Sequence, residues 1–174
     1  SACASMADKR LFFALWPSER QREALREPIK AAVSTVEGQA VYRGNWHVTL
    51  VFVGTFPEEQ IPALQEAAAA VQVEPFRLRF DRVEFWARPK IACLLASTVP
   101  AELAMLAEEL TAVVAHFGVP PEEHGFRPHI TVARNARSFP AEPLAQPVML
   151  EWSGFELMES VSSSRGVQYY PLKQ

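Results

Sequence analysis

The chain is 174 residues long, 49% hydrophobic and 21% charged, a balance that excludes a disordered or fibrous protein. Four Trp and eleven Phe supply apolar area for a sizeable core. A formal net charge of −3 excludes a protein that coats long nucleic acid by bulk positive charge, and leaves open a small anionic substrate held by a few local arginines.

The start, Ser1 to Met6, has no charged segment followed by an apolar one, so it does not read as a signal peptide. Ser1 to Ser5 reads as a tag remnant ahead of a native Met6. No run approaches the ~18–20 apolar residues of a membrane span, and cytoplasm is the expected address. Leu11 to Trp16 is a continuous apolar run stopped by Pro17, the pattern of a buried strand. Ser18 is placed to cap a helix carrying Leu25, Ile29 and Val33, with Pro28 expected to kink or split it. Gly38 and Gly44 bracket a loop before a second strand, Trp46 to Val53, that ends at Gly54. Pro57 to Val71 has helical spacing, with its regular part starting near Ile61 to accommodate Pro62. Phe76 to Phe80 alternates apolar and polar, a half-exposed strand continuing towards Trp86.

From Ile91 the plan restarts. Ile91 to Ser97 is an apolar strand, and its Cys93, the one cysteine outside the tag, reads as a small core hydrophobe. Pro100 to Phe117 is a periodic helix with Gly118 as its stop. A turn-rich stretch leads into the strand around His129. Ser138 to Pro147 reads as a proline-broken loop. Val148 to Glu159 and Gly166 to Leu172 read as closing strands joined by a hairpin around Ser162 to Gly166.

Strand, helix and strand thus run from Leu11 to His47 and again from Ile91 to His129, over intervals that differ by two residues. Each second strand carries the same pattern, His47-Val-Thr-Leu50 and His129-Ile-Thr-Val132. A duplicated unit about an approximate two-fold axis explains both facts. The fold class expected is α+β, a bilobal pseudo-two-fold arrangement of antiparallel sheets with flanking helices and a central cleft, formed by one domain over residues 10–172.

On a strand a residue and its second neighbour share a face, roughly 6.5–7 Å apart. His47 therefore shares a face with Thr49, and His129 with Thr131, while Val48, Leu50, Ile130 and Val132 turn to the core. Two imidazoles flanking one spot suit in-line displacement at phosphorus: a neutral ring takes a proton from water while a protonated ring gives one to the departing oxygen. Threonine hydroxyls can donate to non-bridging oxygens. A polar–apolar strand can show His-x-Thr by accident, at about one histidine in forty. Two matches among four histidines, at matching intervals, outweigh that. A zinc site is disfavoured, because the histidines form no ligand-spaced cluster and Cys93 is the one thiol outside the tag remnant.

These paired motifs, with Arg10-Leu-Phe-Phe-Ala-Leu15, Asn45-Trp-His-Val-Thr-Leu50 and Phe126-Arg-Pro-His-Ile-Thr-Val-Ala-Arg134, resemble the 2H phosphoesterase superfamily, in the branch of the RNA 2′,3′-cyclic phosphodiesterases or 2′-5′ RNA ligases. The resemblance runs from about Arg10 to Leu172. It implies opening of a 2′,3′-cyclic phosphate on RNA ends or nucleotides to a 2′-phosphomonoester, with no cofactor, metal, membrane or obligate protein partner. It implies His47 as proton donor to the 3′ oxygen, His129 as the base that activates water, and Thr49, Thr131 and Arg134 as phosphate contacts.

Smaller expectations concern other residues. Arg127 is as readily a surface arginine as a site residue, and Arg43 a solvated loop arginine as an RNA contact. Trp46, Phe12, Phe13 and Tyr169 favour core packing over stacking on a base. His116 and His124 read as structural. Two other functions stay open: a module that grips phosphorylated RNA ends without turnover, and 2′-5′ ligation or 2′-5′ phosphodiester cleavage at the same site.

Overall fold

The computed structural model describes residues 7–173, so the expected tag remnant at Ser1 to Ser5 lies outside the described residues. The elements are β1 (Asp8–Leu15), α1 (Glu19–Ser34), β2 (Gln39–Ala40), β3 (Val48–Pro57), α2 (Ile61–Ala69), β4 (Phe76–Trp86), β5 (Ile91–Leu95), α3 (Ala101–Ala115), β6 (His129–Arg134), β7 (Glu142–Trp152), β8 (Glu156–Ser163) and β9 (Gly166–Pro171). Ser18 caps α1 through a reciprocal box with Gln21. The helix runs unbroken through Pro28, where a split was an alternative. The carbonyl that Pro28 cannot satisfy belongs to Ala24, on the exposed side where water can serve it, while Leu25, Ile29 and Ala32 anchor the opposite face. As the spacing requires, α2 begins at Ile61 with Pro62 in its first turn.

Nine antiparallel strands form one sheet in the order β7-β4-β5-β6-β3-β1-β8-β9, with β2 on β6. Outward from the β3–β6 junction, β1 answers to β5, β8 to β4 and β9 to β7. The repeat seen in the sequence is therefore β1-α1-β3 and β5-α3-β6, and its pseudo-two-fold passes between β3 and β6. Those strands share one registered pair, Val48 opposite Ile130.

The short runs in β1 and β5 are apolar throughout because both faces of each strand are buried. Leu11, Phe13 and Leu15, like Ala92 and Leu94, enter the main core with Leu25 and Ile29 of α1, Leu64 of α2 and Leu103, Leu106 and Leu110 of α3. Each such fully buried Phe or Leu contributes about 1.5–3 kcal/mol. The intervening residues face the other way, into two small clusters that contain no helix residue. One is Phe12, Ala14 and Met158, with Trp16 and Tyr169 against it; the other is Ile91, Cys93 and Leu95, with Trp86. The helices thus cover one face of the sheet and leave the other to a functional surface.

Two segments depart from the sequence reading. Pro143 and Pro147, expected in a loop, lie in β7, which is possible because β7 is an edge strand paired only with β4 and its ladder is interrupted between Val148 and Pro143. Val148 to Glu159 is two strands, since the chain breaks at Ser153-Gly154 and crosses from the β4 edge to the side of β1. The hairpin at Ser162 to Gly166 is present, closed by Ser163 opposite Gly166. Among the described residues no helix is long and apolar enough to cross a membrane.

Candidate active site

The Val48–Ile130 pair fixes the centre of the open face. Both side chains are fully buried in the main core, so their neighbours emerge on the opposite side. Continuing that register one residue each way sets His47 opposite Thr131 and Thr49 opposite His129. Such cross-strand neighbours stand roughly 5 Å apart at Cβ, with the two histidines on the diagonal at about 7–8 Å. The paired motifs thus meet on adjacent central strands, one from each half of the repeat.

Each imidazole is held from behind in the same manner. His47 Nδ1 donates to the Asn45 carbonyl at 2.8 Å, and His129 Nδ1 donates to the Arg127 carbonyl at 2.8 Å. A carbonyl only accepts, so Nδ1 carries the proton and Nε2 is the unprotonated nitrogen in both neutral rings. At His47 that nitrogen lies 3.0 Å from Thr49 Oγ1, whose hydroxyl donates to it. The loop ahead of His47 is fixed by Arg43, which pairs with Glu19 at 2.7 Å and Glu23 at 3.2 Å on α1 rather than standing free for RNA.

The rings are packed against aromatics. Trp16 stacks on His47 at 5.4 Å between centroids, and Phe12 and Tyr169 each lie 5.1 Å from it. Trp86 lies 4.3 Å from the His129 ring. This burial pushes His47 down from its ordinary 6.5 to about 4, against the raising effect of its bond to Asn45, while the charges of His129, Arg134 and Arg22 add to the fall. Burial lowers His129 as well, with the Arg127 guanidinium acting in the same direction. Both shifts favour the neutral ring in the free protein. Cys93, on the same floor, is fully buried, and desolvation pushes its thiol up to about 12, so it stays protonated and unreactive.

Two bulges complete the surface. On β6 the register slips between Thr131, opposite Cys93, and Ala133, opposite Ala92. Ala133 turns to the main core with Ala92, so exposed Arg134 shares the face of His129 despite the odd spacing of five. On β3 the same slip between Thr49 and Val51 brings Phe52 opposite Phe12, on the His47 side, where it is 57% exposed. Arg134 and Phe52 are equivalent positions of the repeat, each five residues beyond its histidine. Phe52 was not singled out from the sequence, because strand parity without the bulge sends it to the core.

Of the other candidates, Trp46 and Phe13 belong to the main core, whereas Phe12 and Tyr169 touch His47. His116 and His124 are exposed, the first at a helix end and the second in a turn that lines a hollow with Phe52, Val53 and Gly54 of β3. Among the described residues no three His, Cys, Asp or Glu side chains gather where they could hold a metal ion.

The fold is a duplicated antiparallel one that presents one His-x-Thr from each half, and residues 17–158 match the model of the 2′-5′ RNA ligase superfamily. The chain belongs to that superfamily. It is 33% identical over 180 residues to an RNA 2′,3′-cyclic phosphodiesterase of Thermus thermophilus, covering 95% of this chain and 88% of the relative. It is 29% identical over 170 residues to the protein of that name in Escherichia coli, covering 95% of each. The crystal structure of E. coli LigT complexed with 3′-AMP superposes with a TM-score of 0.84 at 29% identity, covering 96% of this chain and 97% of that one. The resemblance read from the motifs is correct at the level of the family.

Proposed function

We propose that residues 10–172 act as one unit that hydrolyses the 2′,3′-cyclic phosphate of RNA ends or nucleotides to a 2′-phosphomonoester, with His47 as proton donor and His129 as proton acceptor. The observation that carries this reading is the pair of Nε2 atoms, one from each half of the repeat, presented on one open face beside two threonine hydroxyls. The relatives in Thermus thermophilus and Escherichia coli, named for the same reaction, support it.

Water bound beside His129 gives a proton to Nε2 as its oxygen attacks phosphorus. The P–O3′ bond breaks, and O3′ takes the proton from His47 Nε2. Thr49, Thr131 and Arg134 donate to the non-bridging oxygens as charge builds there. The incoming phosphate also supplies the negative charge that His47 lacks in the free protein, raising its proton affinity at the moment a donor is required.

Incubation of the protein with oligonucleotides ending in a 2′,3′-cyclic phosphate, in excess EDTA, tests the reading. The expected product carries its phosphate on the 2′ oxygen at a rate the chelator leaves unchanged. A 3′-phosphate product, or tight binding with no turnover, would overturn it.

Phe52 presents an apolar platform at the end of this surface, where a base next to the cyclic phosphate can stack. Stacking on an aromatic is worth about 1–3 kcal/mol per base. Phe52→Ala is therefore expected to raise KM by about tenfold with kcat within about twofold. Equal KM values for the variant and the parent on a dinucleotide substrate would exclude that contact.

A further inference from the structure

We propose that Glu84 is a positioning residue for His129, acting through Trp86 and Arg127. The inference rests on the reading of His129 as proton acceptor given above. Glu84 lies on β4 opposite Cys93 of β5, which is itself opposite Thr131, so its carboxylate stands on the open face two strands from the motif. Oε1 accepts from the Trp86 indole at 3.3 Å and from Arg127 Nη2 at 3.1 Å, while Oε2 accepts from Arg82 Nε at 3.4 Å. Trp86 in turn packs on the His129 ring, and the Arg127 guanidinium lies over the Trp86 ring at 4.9 Å. The carbonyl of the same Arg127 receives His129 Nδ1. A closed circuit results: one carboxylate ties down both the ring that packs on the imidazole and the residue that fixes its tautomer.

The other half of the repeat supplies a comparison within the molecule. There His47 packs on Trp16, and the Arg22 guanidinium lies over Trp16 at 5.3 Å, the same sequence of imidazole, indole and guanidinium. Arg22 is buried, and its Nη1 has no hydrogen-bond partner among the described residues. Among the described residues the guanidinium behind His47 is bonded to no carboxylate, Glu19 acting on it only through space, whereas the guanidinium behind His129 is bonded to Glu84 at 3.1 Å. The charged and titratable groups around His129 are Glu84 and Arg82 from β4, Cys93 from β5, Arg127, and His47 and Arg134 on the central strands. Glu84 is the one anion among them. A base needs its ring held still, and the charge that lowers the proton affinity of His129 is Arg127; this carboxylate holds the indole that packs on the ring and pairs with that guanidinium.

The test uses the full chain with 2′,3′-cyclic CMP as substrate, and the variants Glu84→Ala, Glu84→Gln and Trp86→Phe. Loss of an orienting partner typically costs about 10–100-fold. Glu84→Ala is expected to lower kcat by about 30-fold with KM within twofold, and to move the limb of the pH profile set by His129 to lower pH. Glu84→Gln keeps the shape and one acceptor, and falls in between. Trp86→Phe keeps the ring but loses its N–H, so Glu84→Gln should cost less in that background than in the parent. Wild-type kcat in Glu84→Ala, a loss carried wholly by KM, or an unmoved His129 limb would each overturn the proposal. Should the alanine variant not fold, the near-isosteric Gln variant decides by the same criteria. The ¹⁵N resonances of the His129 ring separate this inference from the function itself. If the parent leaves cyclic CMP intact, the reaction is wrong, yet displaced ring resonances in Glu84→Gln would still support the clamp and unmoved ones would refute it.

Discussion

His47→Ala and His129→Ala are each expected to lower turnover of a 2′,3′-cyclic phosphate by about 10²–10⁴-fold, the range for losing one acid–base partner. Both rings lie on the uncovered face, outside the main core, so neither substitution opens a cavity beneath the helices. Circular dichroism and the urea midpoint should stay close to those of the parent. The two losses should not add. A water activated without its acceptor still needs the donor, and a leaving oxygen without its donor still needs the attack, so the double variant is expected to fall little below the worse single one. The Nδ1 anchors sharpen the prediction. Glutamine can place an amide near the position of Nε2 but cannot exchange a proton there at neutral pH, so His129→Gln should be as inactive as His129→Ala. Retention of near-parental kcat by either alanine variant would remove that ring from the chemistry.

How far this site was visible in the sequence depends on which contacts are local. The face shared by His47 and Thr49 follows from two-residue periodicity, and the repeat follows from near-equal spacing, so both could be read from the chain alone. The Ser18 cap and the late start of α2 behind Pro62 are equally local. Arg134 and Phe52 are different, because a one-residue bulge reverses strand parity and no pattern of side chains announces it. The prolines of β7 misled for a related reason: proline excludes a central strand, and only the strand order shows that β7 lies at an edge. Glu84 and Trp86 were silent because their partners arrive through β4–β5–β6 pairing between segments more than forty residues apart. Continuous apolar runs such as Ile91 to Leu95 conceal which residues face the core, since both faces are buried.

The pH dependence of kcat/KM is expected to be bell-shaped with its maximum on the acid side of neutrality, between about pH 4 and 6.5. That quantity reports the free protein, where burial holds His47 at about 4 and lowers His129 from 6.5. Reaction requires one ring charged and one neutral. Above both values the protonated donor becomes scarcer by tenfold per pH unit, so kcat/KM should fall by roughly tenfold for each pH unit above about 6.5. At saturation the bound phosphate supplies an anion beside both rings, and the kcat profile should move to higher pH than that of kcat/KM. The same burial makes a separate prediction for stability. A histidine whose folded value lies below its unfolded one binds fewer protons when folded, so stability is complete above about pH 6.5 and declines as pH falls towards 4. For His47 the decline amounts to at most about 3 kcal/mol. His47→Gln removes the titrating ring, so its urea midpoint should lose less than the parent's between pH 7 and 4.5. A kcat/KM that climbs steadily to pH 8 would exclude the desolvation of both rings, and parallel midpoints for parent and variant would exclude that of His47 by Trp16, Phe12 and Tyr169.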